Sequence, residues 1–199
     1  MIRGSTSLVA HIGWPTHTFK SPLIYNPSFD GEGFVRGLRR KGCALPGAMA
    51  LVAGAGGVGS AIAASLAAAG VGSIATYDVD PAAALALAER LRQHYPVLDV
   101  RTGSNDPAGC DIVVNATPMG MNDGDPMPVE VARIAPDAFV GEVVMKREMT
   151  AFLKAAQARG CRFQVGTDML FEQIPAYLEF FGFETTTPET LRRLARLDA

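Results

Sequence analysis

The run Met-Ala-Leu-Val-Ala-Gly-Ala-Gly-Gly-Val-Gly at residues 49–59 constrains the fold more than any other stretch of the chain. A short apolar segment, Met49–Ala53, ends in Gly54, Gly56 and Gly59, and an alanine-rich helical stretch follows from Val58 to Ala69. Between a strand and a helix, glycines at this spacing serve three separate purposes. Gly54 permits the tight turn, Gly56 lets an outside group approach the backbone, and Gly59 lets the helix pack closely on the strand. Ala55, Gly57 and Val58 complete the loop. The free N–H groups and dipole of the helix N-terminus would then face an anion such as a pyrophosphate. The alternative is a structural turn without ligand.

The pattern continues as a strand-helix alternation. Candidate strands are Met49–Ala53, Ser73–Asp78, Val97–Arg101, Asp111–Ala116, Phe139–Met145 and Arg162–Val165. Helical patterns occupy Val58–Ala69, Pro81–Tyr95 and Glu148–Arg159, with two more at Thr167–Phe181 and Pro188–Leu197. Pro81 suits a first-turn position, and Gly70 and Gly160 suit helix C-terminal caps. The strands read as continuous apolar runs, as expected for a parallel sheet covered on both faces. The expected class is therefore α/β, a doubly wound parallel Rossmann sheet.

The second strand ends Thr76-Tyr77-Asp78-Val79-Asp80, with Asp78 19 residues past Gly59. That is near the spacing of an acid that hydrogen-bonds the adenosine ribose of a bound dinucleotide. A carboxylate there accepts from the 2′-hydroxyl of NAD and repels the 2′-phosphate of NADP, by roughly 4 kcal/mol at ~4 Å and an effective dielectric near 20. No arginine follows Asp78 to offset this, so NAD is favoured over NADP. Alternatively Asp78 caps the helix at Pro81, although Asp80 is better placed for that role.

With 199 residues, 48% of them hydrophobic, the chain can bury one good core. A net charge of −2 and a pI near 5.9 offer no attraction for nucleic acid or an anionic membrane. No apolar run is long enough to span a bilayer, and the opening residues lack a signal-peptide core, so a cytoplasmic location is expected. Cys43, Cys110 and Cys161 lie far apart and read as reduced, buried small hydrophobes. His11, His17 and His94 have no metal-ligand spacing, so no metal is expected. The first 42 residues differ in character: a strand (Leu8–Ile12), the apolar piece Leu23-Ile24-Tyr25, and a charged helix from about Gly33 to Lys41, too little to close a separate core.

Four ordered segments resemble those of the shikimate/quinate dehydrogenase family. Asn115-Ala-Thr-Pro-Met-Gly-Met121 is similar to its NATPxGM segment, and Gly166-Thr-Asp-Met-Leu-Phe-Glu-Gln173 to its GxxMLxxQ segment. Ile12-Gly-Trp-Pro15, His17-Thr-Phe-Lys-Ser-Pro22 and Asn26 together resemble the IGxPxxHSxSPxxHN segment, and Asp30-Gly-Glu-Gly-Phe34 resembles NTDxxGF. The resemblance implies hydride transfer between NAD(P) and shikimate or quinate, or their 3-dehydro ketones. It implies that Thr18 and Ser21 bind the substrate carboxylate and that Gln173 reaches a ring hydroxyl. Asp30 would be half of a Lys/Asp proton-handling pair, and Asn115, Thr117, Met119, Gly166 and Met169 would line the cofactor pocket. Plainer readings stand beside these: Thr18 and Ser21 as turn residues before Pro22, Asp30 as the cap of a helix beginning near Gly33, Gln173 as a solvated helix residue, and Met169 as core.

The chain departs from that pattern in one region. Only Pro27-Ser28-Phe29 separate Asn26 from Asp30, where the family carries a catalytic lysine and a substrate-binding asparagine. Lys20 and Lys146 are not that lysine by motif, and Met145 stands where a tyrosine is common. The expected organisation is a remnant substrate-binding segment at 1–42, a dinucleotide-binding domain at 43–182 and a C-terminal helix at 183–199. Two functions remain: an NAD-dependent dehydrogenase of a small cyclic hydroxy acid, or a catalytically silent NAD-binding module, with a homodimer open in either case. A folate- or tRNA-linked dehydrogenase is disfavoured by the Asp30–Phe34 and Met169–Gln173 stretches.

Overall fold

The computed structural model describes residues 21–180 and 182–194, with the backbone alone at 21–29 and 180. The expected strand Leu8–Ile12 and the candidate residue Thr18 lie outside the described residues. A long helix α1 (Ser21–Arg40) comes first. Then follow β1 (Met49–Ala53), α2 (Gly57–Ala68), β2 (Ser73–Tyr77), α3 (Pro81–His94), β3 (Asp99–Thr102) and β4 (Ile112–Asn115). The remainder is a 3-10 turn (Val131–Arg133), β5 (Phe139–Glu142), α4 (Ala151–Ala158), β6 (Arg162–Gln164), α5 (Gly166–Phe180) and α6 (Pro188–Leu194). The six strands form one sheet in the order β3-β2-β1-β4-β5-β6, every neighbouring pair parallel. This is the doubly wound α/β class expected.

Alternation along β1 shows how the faces are used. Ala50 and Val52 enter a core with Phe34 and Leu38 of α1, Ile62 and Leu66 of α2, and Leu87 and Leu91 of α3. Leu51 and Ala53 enter the opposite core, against Phe152, Leu153 and Ala156 of α4 and Ile134. The crossovers β1–β2 and β2–β3 both put their helices on the first face, whereas α4 packs on the second face against β5 and β6. That explains one difference from expectation: β2 alternates buried and half-buried residues, and β3 buries Val100 alone. Among the described residues no helix packs on the second face beneath β2 and β3, so those strands are not apolar throughout.

The helix expected to begin near Gly33 instead runs from Ser21 and includes Leu23-Ile24-Tyr25. Pro22 falls in its first turn, where the missing N–H would have had no partner. Phe34 and Leu38 are fully buried, each worth roughly 1.5–3 kcal/mol of apolar burial. Two glycines set how close α1 comes to its neighbours. A Cβ on Gly31 would overlap the Ala61 carbonyl of α2, and one on Gly33 would lie 2.8 Å from the Met169 carbonyl oxygen of α5. Ion pairs lock the far ends of these helices: Arg40 to Glu172 at 2.8 Å, Arg192 of α6 to Asp168 at 2.7 Å, and Lys41 also to Asp168.

Candidate functional site

At the carboxyl ends of β1 and β4 the chain leaves the sheet in opposite directions, opening the crevice that parallel sheets offer to a ligand. The glycine loop lies there. Gly54 takes φ +108°, a conformation open to glycine, and a Cβ on Gly59 would overlap the Gly54 carbonyl oxygen. Those two glycines are needed by the fold itself. Gly56 and Gly57 are different: a Cβ on either would meet nothing within 4 Å. Gly56 is the N-cap of α2 and offers no side chain to its first-turn N–H groups, and that turn holds no acidic residue. Open space over uncapped N–H groups fits a diphosphate. Val58 is half-buried against the core below.

Asp78 closes this loop from the neighbouring strand. Its Oδ2 accepts from the Ala55 N–H at 2.7 Å and its Oδ1 from the Asp80 N–H at 2.9 Å. Asp80, not Asp78, caps α3, accepting from the Ala82 N–H at 2.9 Å. Half-buried Asp78 thus belongs to the glycine loop, and a carboxylate retains lone pairs for a ribose hydroxyl.

Beyond β4, Asn115 is 0% exposed and its amide is fully used. Its nitrogen donates to the Met119 carbonyl at 2.9 Å and to Glu142 at 3.0 Å, while its oxygen accepts from the Thr117 N–H and hydroxyl at 3.1 and 2.6 Å. Asn115 was expected to line a pocket; it lies beneath the turn and shapes it, leaving Thr117 and Met119 half-buried at the surface. Gly166 opens α5, and a Cβ there would overlap the Val144 carbonyl. Met169 is 3% exposed and packs in the main core cluster, the plainer of its two readings.

Glu142, which closes β5, was not singled out from sequence. It is 0% exposed, and burial raises its pKa against the opposing pull of hydrogen bonds from Val144, Asn115, Thr150 and Val143. A charged residue ending the apolar run Phe139-Val-Gly is the signal that could have found it.

Between α1 and α5, the close packing allowed by Gly31 and Gly33 brings Asp30 and Gln173 together. The Gln173 Nε2 donates to Asp30 Oδ1 at 2.9 Å, with the two residues 7% and 5% exposed. Asp30 stands inside α1, so it caps no helix at Gly33, and Gln173 is not a solvated residue. Burial pushes the Asp30 carboxyl up to about 6. The Gln173 Oε1 is buried without a hydrogen-bond partner among the described residues. On the next turn of α5, the Tyr177 phenol is pushed up by burial and then by the Asp30 charge. Ser21 starts α1. Lys146 is exposed and donates to Asn122 Oδ1 at 3.0 Å, and Met145 is half exposed. Among the described residues no cluster of three metal-ligating side chains occurs, and no helix is long and apolar enough to cross a membrane.

A parallel sheet in this strand order, with a glycine loop at its switch point and an acid at the end of β2, defines a Rossmann-type nucleotide-binding fold. No protein-family model matches the chain. It is 39% identical over 164 residues to the quinate/shikimate dehydrogenase (NAD(+)) of Corynebacterium efficiens, a match spanning 78% of this chain and 57% of that protein. Among solved structures, quinate dehydrogenase from Corynebacterium glutamicum in complex with NAD superposes with a TM-score of 0.71 at 33% identity, over 83% of this chain and 61% of that one. The ligand-free 5-ketofructose reductase of a Gluconobacter strain superposes with a TM-score of 0.73 at 28% identity, over 83% of this chain and 63% of that one. The chain belongs to the shikimate/quinate dehydrogenase family, and spans little more than half the length of the curated relative it matches.

Proposed function

We propose that the chain binds NAD and serves as an oxidoreductase that moves hydride between NAD and a ring carbon of shikimate or quinate. The observation that carries this reading is the buried Asp30–Gln173 pair, in a Rossmann-type fold whose open glycine loop is tied to Asp78. In this reading residues 1–42 are the remnant of the substrate-binding segment, 43–182 the dinucleotide-binding domain and 183–199 the C-terminal helix.

The first-turn N–H groups of α2 hold the diphosphate, and Asp78 accepts from the ribose 2′-hydroxyl, which disfavours a 2′-phosphate. Bound NAD supplies the hydride acceptor. Asp30, largely ionised above its pKa of about 6, accepts the proton of the ring hydroxyl as that carbon is oxidised, and returns it to the ketone oxygen in reverse. A pKa near the working pH suits both directions. Gln173 is held by Asp30 through its nitrogen, which leaves Oε1 to accept from a second ring hydroxyl. Thr18 and Ser21 bind the carboxylate by the family resemblance.

Following NADH formation with quinate and with shikimate tests this directly. Turnover with either acid is expected, with the oxidation rate falling as pH drops below about 6. NAD binding without turnover on either acid would instead establish the second reading, a silent NAD-binding module. That reading is favoured by one observation, the three residues between Asn26 and Asp30 where relatives of the family pattern carry a lysine.

A further inference from the structure

The chemistry above makes no use of the buried Glu142 carboxylate, although it is among the most completely bonded groups in the site. Its Oε1 accepts from the Asn115 amide at 3.0 Å and from the Val143 and Val144 N–H groups at 2.8 and 3.0 Å. Its Oε2 accepts from Asn115 at 3.2 Å and from the Thr150 hydroxyl at 3.0 Å. A buried carboxylate is costly unless its oxygens are satisfied, and an apolar side chain would close β5 without that cost.

The donors explain its presence. Asn115 governs the turn after β4, where it also grips Thr117 and the Met119 carbonyl. Val143, Val144 and Thr150 belong to the segment that leaves β5, and Thr150 caps α4 by accepting from the Leu153 N–H at 3.1 Å. One carboxylate therefore ties the turn that leaves β4 to the segment that leaves β5.

Both loops stand on one side of the switch point. A dinucleotide in such a sheet lays its diphosphate at the first helix and its two nucleosides on either side of the crevice. With Asp78 on β2 marking the adenosine side, the half bearing the reactive ring extends over β4 and β5. We propose that Glu142 is a positioning residue that fixes the loops after β4 and β5 as one floor beneath the nicotinamide-riboside half of the cofactor. The inference rests on the NAD site proposed above.

Calorimetric titration of the whole chain with NADH and with ADP-ribose, which lacks the nicotinamide, separates positioning from general support. In Glu142→Gln the new amide nitrogen takes the place of Oε2 and opposes the Asn115 amide nitrogen, donor against donor. Loss of a hydrogen bond to a charged group predicts NADH binding about tenfold weaker, with ADP-ribose within about twofold of wild type. Thr150→Val removes the hydroxyl donor to Oε2 and is expected to show the same split to a smaller degree, so the test survives if Glu142→Gln does not fold. Equal weakening of both ligands, or unchanged affinity for both in a folded variant, would overturn the inference while leaving the NAD site standing. Failure of ADP-ribose to bind the wild-type chain would bring down the NAD site and the inference together.

Discussion

Replacing Asp30 by asparagine should stabilise the protein while disabling it. Burial raises the carboxyl from its ordinary 3.8 to about 6, so the folded state holds the proton more tightly than the unfolded chain does. Stability from this group is complete below pH 3.8 and is lost as pH rises through about 6. Above that window the ionised form costs roughly 3 kcal/mol, since each tenfold change in proton affinity corresponds to about 1.4 kcal/mol. Asparagine removes the ionisation and keeps the shape. Its Oδ1 still accepts from Gln173 Nε2, and its amide nitrogen can donate to the unpartnered Gln173 Oε1. At pH 8 the variant should gain about 3 kcal/mol, a rise in Tm of about 7 °C for a chain of this size. At pH 4 the advantage should shrink below about 1 kcal/mol. Oxidation of shikimate or quinate should fall by about 10² to 10⁴, the usual effect of losing a general base. Thermal unfolding followed by circular dichroism across that pH range, alongside NADH formation, provides the assay. A variant no more stable than wild type at pH 8, or equally stabilised at both pH values, would refute the burial argument.

The two classes of glycine in the loop make opposite predictions. Gly59→Ala drives a Cβ into the Gly54 carbonyl and should cost more than about 3 kcal/mol in denaturant unfolding. Gly56→Ala meets no protein atom within 4 Å, so stability should stay within about 1 kcal/mol while NADH affinity drops by about tenfold or more. Asp78→Ala should relax the preference for NADH over NADPH and also weaken NADH itself, because the variant frees the Ala55 N–H; titration with both dinucleotides checks this.

The parts of the site readable from sequence are those in which a short local pattern serves a backbone need. Gly54 and Gly59 have no alternative residue at their positions, and Asp78 follows from the length of one helical crossover. Asp30 and Gln173 are readable only through resemblance, because their meeting depends on α1 packing between α2 and α5. Gly31 and Gly33 permit that approach, and their spacing on one helix does not reveal which neighbours they face. The early start of α1 was not legible because Pro22 and Pro27 both lie within it, and proline lacks the N–H that a helix interior uses. The burial of Asn115 was not legible for a related reason: it depends on Glu142, 27 residues later in the chain, whose carboxylate accepts from the Asn115 amide beneath the turn. Glu142 is marked in the sequence only as a charge that ends the apolar run Phe139-Val-Gly, which does not reveal the donors that satisfy it. The half-covered second face of β2 and β3 follows from strand order, which hydrophobic pattern alone does not specify.

In the proposed function an uncapped helix N-terminus and an acid at the end of the second strand together hold an unphosphorylated dinucleotide. Isothermal titration of the chain with NADH and NADPH, side by side in one buffer, tests it most directly. Saturable binding of NADH and a clearly weaker response to NADPH are expected; no heat from NADH, or tighter binding of NADPH, would refute this assignment.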